Sequence, residues 1–342
     1  MGEKLTIRSA TVDKNGDYVA LEQMQEYVNT VNGERKLRYL ANHRRDLPPV
    51  GYISNAEIRQ IENIYHALAE PVVFINREQV SWDQSLLMED AGIPLSFIRR
   101  DHGSSVHIRI AMDKNNFGSF ESFEHTGEHL IKIFDQELKL EGSMRKSYLP
   151  DPQMVITLAG YYTILYPILK PFLTKMGEKI AEDIAEDAYQ LAKTGSKKLI
   201  ASIADSVRLA RKNMIPKNKV LLTIFEIPGS PYIELQVKSD DPKRIAKAIS
   251  DKQLFKMHKK VIDLQSKIEI SEICFLFNVK DKWEFTYLLT KQGQVIGTKT
   301  VFKKRDNLLR RINLSPTRAL SLGADAVQYE RSPNNSRPNP AD

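Results

Sequence analysis

Six of the seven histidines in this 342-residue chain fall within its first 130 residues: His43, His66, His102, His107, His125 and His129. Imidazole is the commonest metal ligand and the side chain best placed to move protons near neutral pH, so the skew directs any chemistry to the N-terminal part. The sharpest spacing is His125-Thr-Gly-Glu128-His129. On a helix it sets two imidazoles one turn apart, where they would hold zinc, with Glu128 as the base that activates water and not as a ligand. The price is Gly127, which weakens a helix by up to about 1 kcal/mol. No third ligand stands out, and no cofactor is indicated.

Three families are resembled at the level of segments. His-x-x-Glu-His is the arrangement of inverzincin metallopeptidases, and the likeness here spans those five residues. A broader likeness covers residues 36–110. There Leu40-Ala-Asn-His43-Arg-Arg-Asp-Leu-Pro-Pro49-Val-Gly51, followed by strand-like runs, resembles phage prohead proteases. That resemblance implies a serine hydrolase in which His43 activates Ser96, with Asp101 or His102 orienting the imidazole, because a serine hydroxyl needs such a base. Residues 153–193 are similar in composition to the helical junction of bacterial anti-phage effectors, through Lys170-Pro-Phe172, Gly177-Glu-Lys179 and Glu186-Asp-Ala-Tyr189. Walker A, GxGxxG and GxSxG motifs are absent.

Among the elements that must position these residues, the run Gln153–Leu169 dominates, because it carries no charge in a chain that is 27% charged. It reads either as a helix on or across a membrane, extending to residue 173, or as a helix buried between domains. Pro167, Pro171 and Gly160 oppose a straight span, and Tyr161, Tyr162 and Tyr166 suit an interface. The remaining sequence reads as α+β. Residues 1–145 form a mixed domain with helices near 19–28 and 127–140. Residues 146–217 form a helical connector broken at Gly195-Ser196. Residues 218–331 form an antiparallel α+β domain, and 332–342 a Pro/Asn-rich disordered tail. In the third segment KVLLTIFEI and YIELQVK flank Pro228-Gly-Ser-Pro231 as a hairpin, and three later runs read as a meander.

Charge divides the chain. Residues 1–152 hold 18 Lys/Arg against 23 Asp/Glu, and residues 153–342 hold 32 against 20. A basic half suggests an anionic partner, whether a membrane surface, nucleic acid or an acidic protein. The candidate phosphate contacts are Lys243-Arg244, Lys256, Lys259-Lys260, Lys303-Lys304-Arg305 and Arg310-Arg311, with Phe255 and Trp283 as stacking groups. The single cysteine, Cys274, excludes an internal disulfide and fits a reducing cytoplasm. The sequence therefore favours a membrane-associating or partner-binding intracellular protein at the inner face of a membrane, and the resemblance of residues 153–193 implies an effector in host–phage conflict. A serine hydrolase and a nucleic-acid binder are the alternatives.

Overall fold

The computed structural model describes residues 4–12, 18–98, 108–134, 138–143, 152–158, 186–313 and 322–324. In chain order the strands are β1 (Leu5–Ser9), β2 (Arg35–Ala41), β3 (Gly51–Ile61), β4 (Ile64–Val73), β5 (Asn76–Val80), β6 (Asp83–Asp90), β7 (Ser96–Phe97) and β8 (Ile108–Asp113). They continue with β9 (Leu138–Ser143), β10 (Gln153–Thr157), β11 (Leu222–Ile227), β12 (Tyr232–Lys238), β13 (Ile270–Phe277), β14 (Trp283–Thr290), β15 (Val295–Thr298) and β16 (Leu322–Ala324). The helices are α1 (Leu21–Asn32), α2 (Phe120–Ile133), α3 (Glu186–Asn213), α4 (Pro242–Ala248), α5 (Asp251–Gln265) and α6 (Lys299–Asn313).

The strands make two sheets. The smaller has the order β1-β4-β3-β2-β16, with β7 beside β2. The larger runs β5-β6-β15-β14-β13-β12-β11-β10-β8-β9. One face of the large sheet, carrying Phe225, Ile233, Leu235, Ile273 and Phe275, is buried with apolar residues of α2, α3, α4 and α5 in the main core. The small sheet packs with Tyr27, Val28 and Val31 of α1 and with Val301, Leu308 and Ile312 of α6. Phe302 of α6 instead joins Cys274, Tyr287 and Leu289 on the other face of the large sheet. Helix α6 thus touches both sheets.

The α+β class is what the sequence predicts, as are the β11–β12 hairpin and the antiparallel β13-β14-β15 meander. Five expectations are corrected. The charge-free run opens as strand β10, not as a helix: all five residues are buried, antiparallel to β8 and parallel to β11. A strand covered on both faces needs apolar residues throughout, so its pattern matches that of a buried helix. No described helix is long and apolar enough to cross a membrane. Residues 159–173 of the expected membrane segment, and the motifs at 170–172 and 177–179, lie outside the described residues, as does the expected tail at 332–342.

The large sheet is also mixed, since β8–β9, β10–β11 and β12–β13 are parallel, which replaces the purely antiparallel arrangement expected for 218–331. It draws strands from either side of residues 145 and 217, so the expected boundaries coincide with no break in it. Helix α3 runs unbroken through Gly195-Ser196, its buried Ile203, Val207 and Ala210 docked on the core. Finally, the helix expected over 127–140 starts earlier, at Phe120, where the Ser119 hydroxyl accepts from the Ser122 amide; Leu138–Ser143 is strand.

Candidate functional site

The structure separates His43 from Ser96. Strand β7 pairs parallel with the beginning of β2, Ser96 opposite Arg35, whereas His43 lies beyond the end of β2. At about 3.3 Å rise per residue the intervening strand puts them roughly 20 Å apart, against the 2.6–3.2 Å or one bridging water that general-base catalysis needs. Ser96 is exposed and His43 buried. Asp101 and His102 lie outside the described residues. Gly51 does not make the expected turn but opens β3, where a Cβ would lie 1.8 Å from the Val72 carbonyl oxygen.

The second motif is helical as its chemistry requires, but it gathers no ligand set. In α2 the His125 and His129 rings lie 4.3 Å apart, edge to face, and His129 Nδ1 is 2.8 Å from the His125 carbonyl oxygen. Gly127 sits where a Cβ would come 2.3 Å from Leu140 Cδ2, so it serves the contact of α2 with β9. Among the described residues the one group of three metal-ligating side chains with donor atoms within 4.8 Å is Glu234, Glu272 and Cys274, which does not include His125, Glu128 or His129.

What the His43 segment does instead is plug the large sheet. Leu222, Ile224 and Glu226 of β11 share a face with Lys238, Gln236 and Glu234 of β12, and Glu226 stands directly opposite Glu234. Both carboxylates are fully buried. Like charges so placed repel, and each is costly to remove from water. Arg45, from the loop between β2 and β3, enters between them: its Nη2 donates to Glu226 Oε1 at 2.6 Å and also to Glu234 Oε1. Thr157 Oγ1 donates to Glu226 Oε2 at 2.7 Å. Gln236 Nε2 and the Tyr287 hydroxyl hold the Arg45 carbonyl at 2.8 and 3.0 Å. Beside them Arg38 pairs with Glu272 at 2.5 Å. Burial, reinforced by the charges of Glu234 and Glu272, pushes the Cys274 thiol well above its ordinary range, so this cysteine is no nucleophile.

The same loop forms one wall of a cleft of about 860 Å³. Its origin is topological. Strand β15 is only four residues long and pairs with Tyr287–Leu289 of β14 on one side and Leu86–Glu89 of β6 on the other. Beyond Thr298 the chain leaves the sheet as α6, so Trp283–Thr286 and Asp83–Ser85 diverge with no strand between them. Ser85, Thr286, Thr298 and Thr300 line the gap, the Thr286 hydroxyl donating to the Cys274 carbonyl at 2.8 Å, and half-buried Phe285 lies in its wall.

Charge in the cleft is mixed: α5 contributes Lys260 beside Asp263, and the 42–47 loop contributes Arg44 beside Asp46. Helix α6 lines it with Thr300, Lys304, Asn307, Leu308 and Arg311, a stripe at helical spacing whose charges are all positive. Neither Lys304 nor Arg311 has an acidic partner among the described residues. Arg44 and Lys238 add cations, both on Asp46: Arg44 Nε and Nη2 at 2.5 and 2.6 Å, Lys238 Nζ at 2.6 Å. Burial would raise the Asp46 carboxyl, but the hydrogen bonds and charges of Arg44 and Lys238 prevail and hold it far below the usual carboxylate range. The remaining acids, Asp83, Asp263 and Glu284, come from β6, α5 and β14.

The cationic helix is locked in place from behind. Arg305, 3% exposed, grips Glu89 of β6 through both Nη atoms at 2.7 and 2.8 Å and donates to the Pro49 carbonyl at 2.7 Å. Arg77 ties Glu89 to Asp306 of the same helix. Arg305 is therefore withdrawn from the phosphate contacts expected of it. Arg244 and Lys247 pair with Asp281. Trp283 packs in the core, its indole nitrogen donating to the Ala248 carbonyl at 3.0 Å. Phe255 is half-buried beneath Lys259. Sequence reasoning identified the basic runs but missed Arg44, Lys238 and the cleft itself; the i, i+4, i+11 spacing of Thr300, Lys304 and Arg311 was the available signal. Comparison of the chain with protein-family models, curated proteins and solved structures finds no match.

Proposed function

We propose that the protein is a nucleic-acid-binding module that receives a single strand in the cleft between β6, β14 and α6. The observation that carries this reading is the purely cationic stripe of α6 along a cleft whose other walls also hold carboxylates. Lys304 and Arg311 form a cationic wall suited to phosphate, while Asp83, Asp263 and Glu284 supply carboxylates able to accept from the exocyclic amines of bases. Phe285, half-buried in the cleft wall and edge-on to Phe275, offers a ring on which a base can stack, a contact worth about 1–3 kcal/mol. The exposed lysines of α5 and α6, Lys256, Lys259 and Lys303, extend positive charge beyond the cleft along a longer strand.

An anionic membrane surface fits less well. The acids would repel its headgroups, and none of the exposed large hydrophobic residues, such as Ile75, Val220 or Val279, lines the cleft. The reading is non-enzymatic, since it assigns no nucleophile, base or metal. It is tested by titrating the full chain against a labelled single-stranded oligonucleotide, a duplex of the same sequence and anionic vesicles. Preference for the single strand supports it; binding to vesicles alone, or to none of the three, refutes it.

A further inference from the structure

The cleft already contains an anion. The Asp46 carboxylate sits on the fork of Arg44, which donates Nε and Nη2 in parallel, and it also takes the Lys238 ammonium. This two-pronged geometry is the one with which arginine holds phosphate as readily as carboxylate. All three residues line the cleft, and the side chains of Arg44 and Lys238 are 23% and 41% exposed, so an incoming anion can reach the cations that Asp46 holds. The loop that presents Asp46 is itself under tension: Asn42 and His43 both adopt left-handed backbone, at φ 52° and 55°. On its other side the loop is anchored by Arg45 to Glu226 and Glu234, so Asp46 can swing aside without the loop leaving the sheet.

We infer that Asp46 occupies the seat of a ligand phosphate, and that a strand bound in the cleft displaces it from Arg44 and Lys238. Asp46 then sets a threshold. Weak or singly charged anions fail to displace an internal carboxylate that faces two cations, whereas a strand anchored at Lys304 and Arg311 as well succeeds through its several simultaneous contacts. This inference rests on the reading of the cleft as a nucleic-acid site, and it assigns Asp46 a selective role within it.

The test compares wild type, Asp46→Asn and Lys238→Met as full chains, titrated with a labelled single-stranded oligonucleotide and with inorganic pyrophosphate at several salt concentrations. Asp46→Asn keeps the side-chain shape and removes the competing charge. It should tighten oligonucleotide binding about tenfold and bring pyrophosphate binding into range. Lys238→Met should weaken oligonucleotide binding and lower the salt slope by about one ion. Wild-type binding that Asp46→Asn leaves unchanged or weakens, at an unaltered unfolding midpoint, overturns the inference and leaves the nucleic-acid reading standing. Binding by Asp46→Asn where wild type is silent overturns it, since a strand would then fail to displace Asp46 from its two cations. Failure of both proteins to bind overturns both readings. Should Asp46→Asn melt far below wild type, the salt slope of Lys238→Met decides, and an unchanged slope rejects the inference.

Discussion

Replacing Arg45 by Met would expose how the loop at 42–47 is held. Glu226 and Glu234 are fully buried on neighbouring strands, directly opposite each other, and Arg45 is the cation shared between them. Methionine fills similar volume but leaves both carboxylates without it, and losing one partner of a buried ion pair costs about 3–5 kcal/mol. Unfolding entropy scales with length, at roughly 2 cal/mol/K per residue, so over a chain of this size the loss corresponds to a fall of roughly 4–7 °C in melting temperature if the chain unfolds as one unit. The cost should depend on pH. Without Arg45 the buried carboxyls take a folded-state pKa above their unfolded value near 4.3, so the variant binds protons on folding. That stability is fully present below the unfolded pKa and is lost as pH rises through the raised folded value. Denaturant titration at pH 5 and pH 8 should therefore find Arg45→Met closer to wild type at pH 5. Adding Glu226→Gln should recover part of the loss at pH 8. An Arg45→Met variant within 1 kcal/mol of wild type at pH 8 would show that the glutamate pair does not depend on Arg45.

Four further outcomes follow from the same geometry. Lys304→Glu and Arg311→Glu, both exposed and without acidic partners among the described residues, should leave the unfolding midpoint unchanged yet together reduce oligonucleotide affinity at least tenfold and flatten its salt dependence, as read by fluorescence anisotropy. The depressed Asp46 carboxyl contributes stability that is present above its unfolded pKa near 3.9 and lost as pH falls below it; Asp46→Asn should remove that part of the acid denaturation profile. Gly51→Ala should destabilise by about 3 kcal/mol or more in urea titration, because the new methyl would meet the backbone oxygen of Val72 at 1.8 Å. Fluorophosphonate should fail to label the protein, since His43 does not reach Ser96; labelling abolished by both Ser96→Ala and His43→Ala would restore the hydrolase reading.

How much of this was legible depends on the range of the interactions involved. The β11–β12 hairpin and the α4 and α5 helices are local: turn residues at 228–231 and helical spacing announce them. Strand β10 was not, because Met154, Val155 and Ile156 carry the same apolar signal as a buried helix and only their neighbours β8 and β11 decide between the two. The mixed sheet was hidden for a related reason, since β6 and β15 pair across some two hundred residues with nothing in either sequence to specify the partner. At the site, the carboxylate of Glu226 inside the run Leu222–Ile227 is a sign in the sequence that it needs a buried partner, and it went unread. That the partner is Arg45 could not be read. His43 drew attention for its chemistry, whereas its neighbours Arg44, Arg45 and Asp46 do the joining and the lining.

The central claim is the place of binding, and hydrogen exchange on the full chain with and without a saturating single-stranded oligonucleotide tests it most directly. Trp283–Thr286 and Asp83–Ser85 border the gap in the sheet on their sides away from β13 and β5, and the first turn of α6 begins at its edge. A strand in the cleft should slow exchange at 83–86, 283–286 and 298–304, and leave the β1–β4 edge of the small sheet unchanged. Protection confined to the small sheet or to α2, or no protection at a concentration that saturates binding, would contradict the assignment of the cleft as the nucleic-acid site.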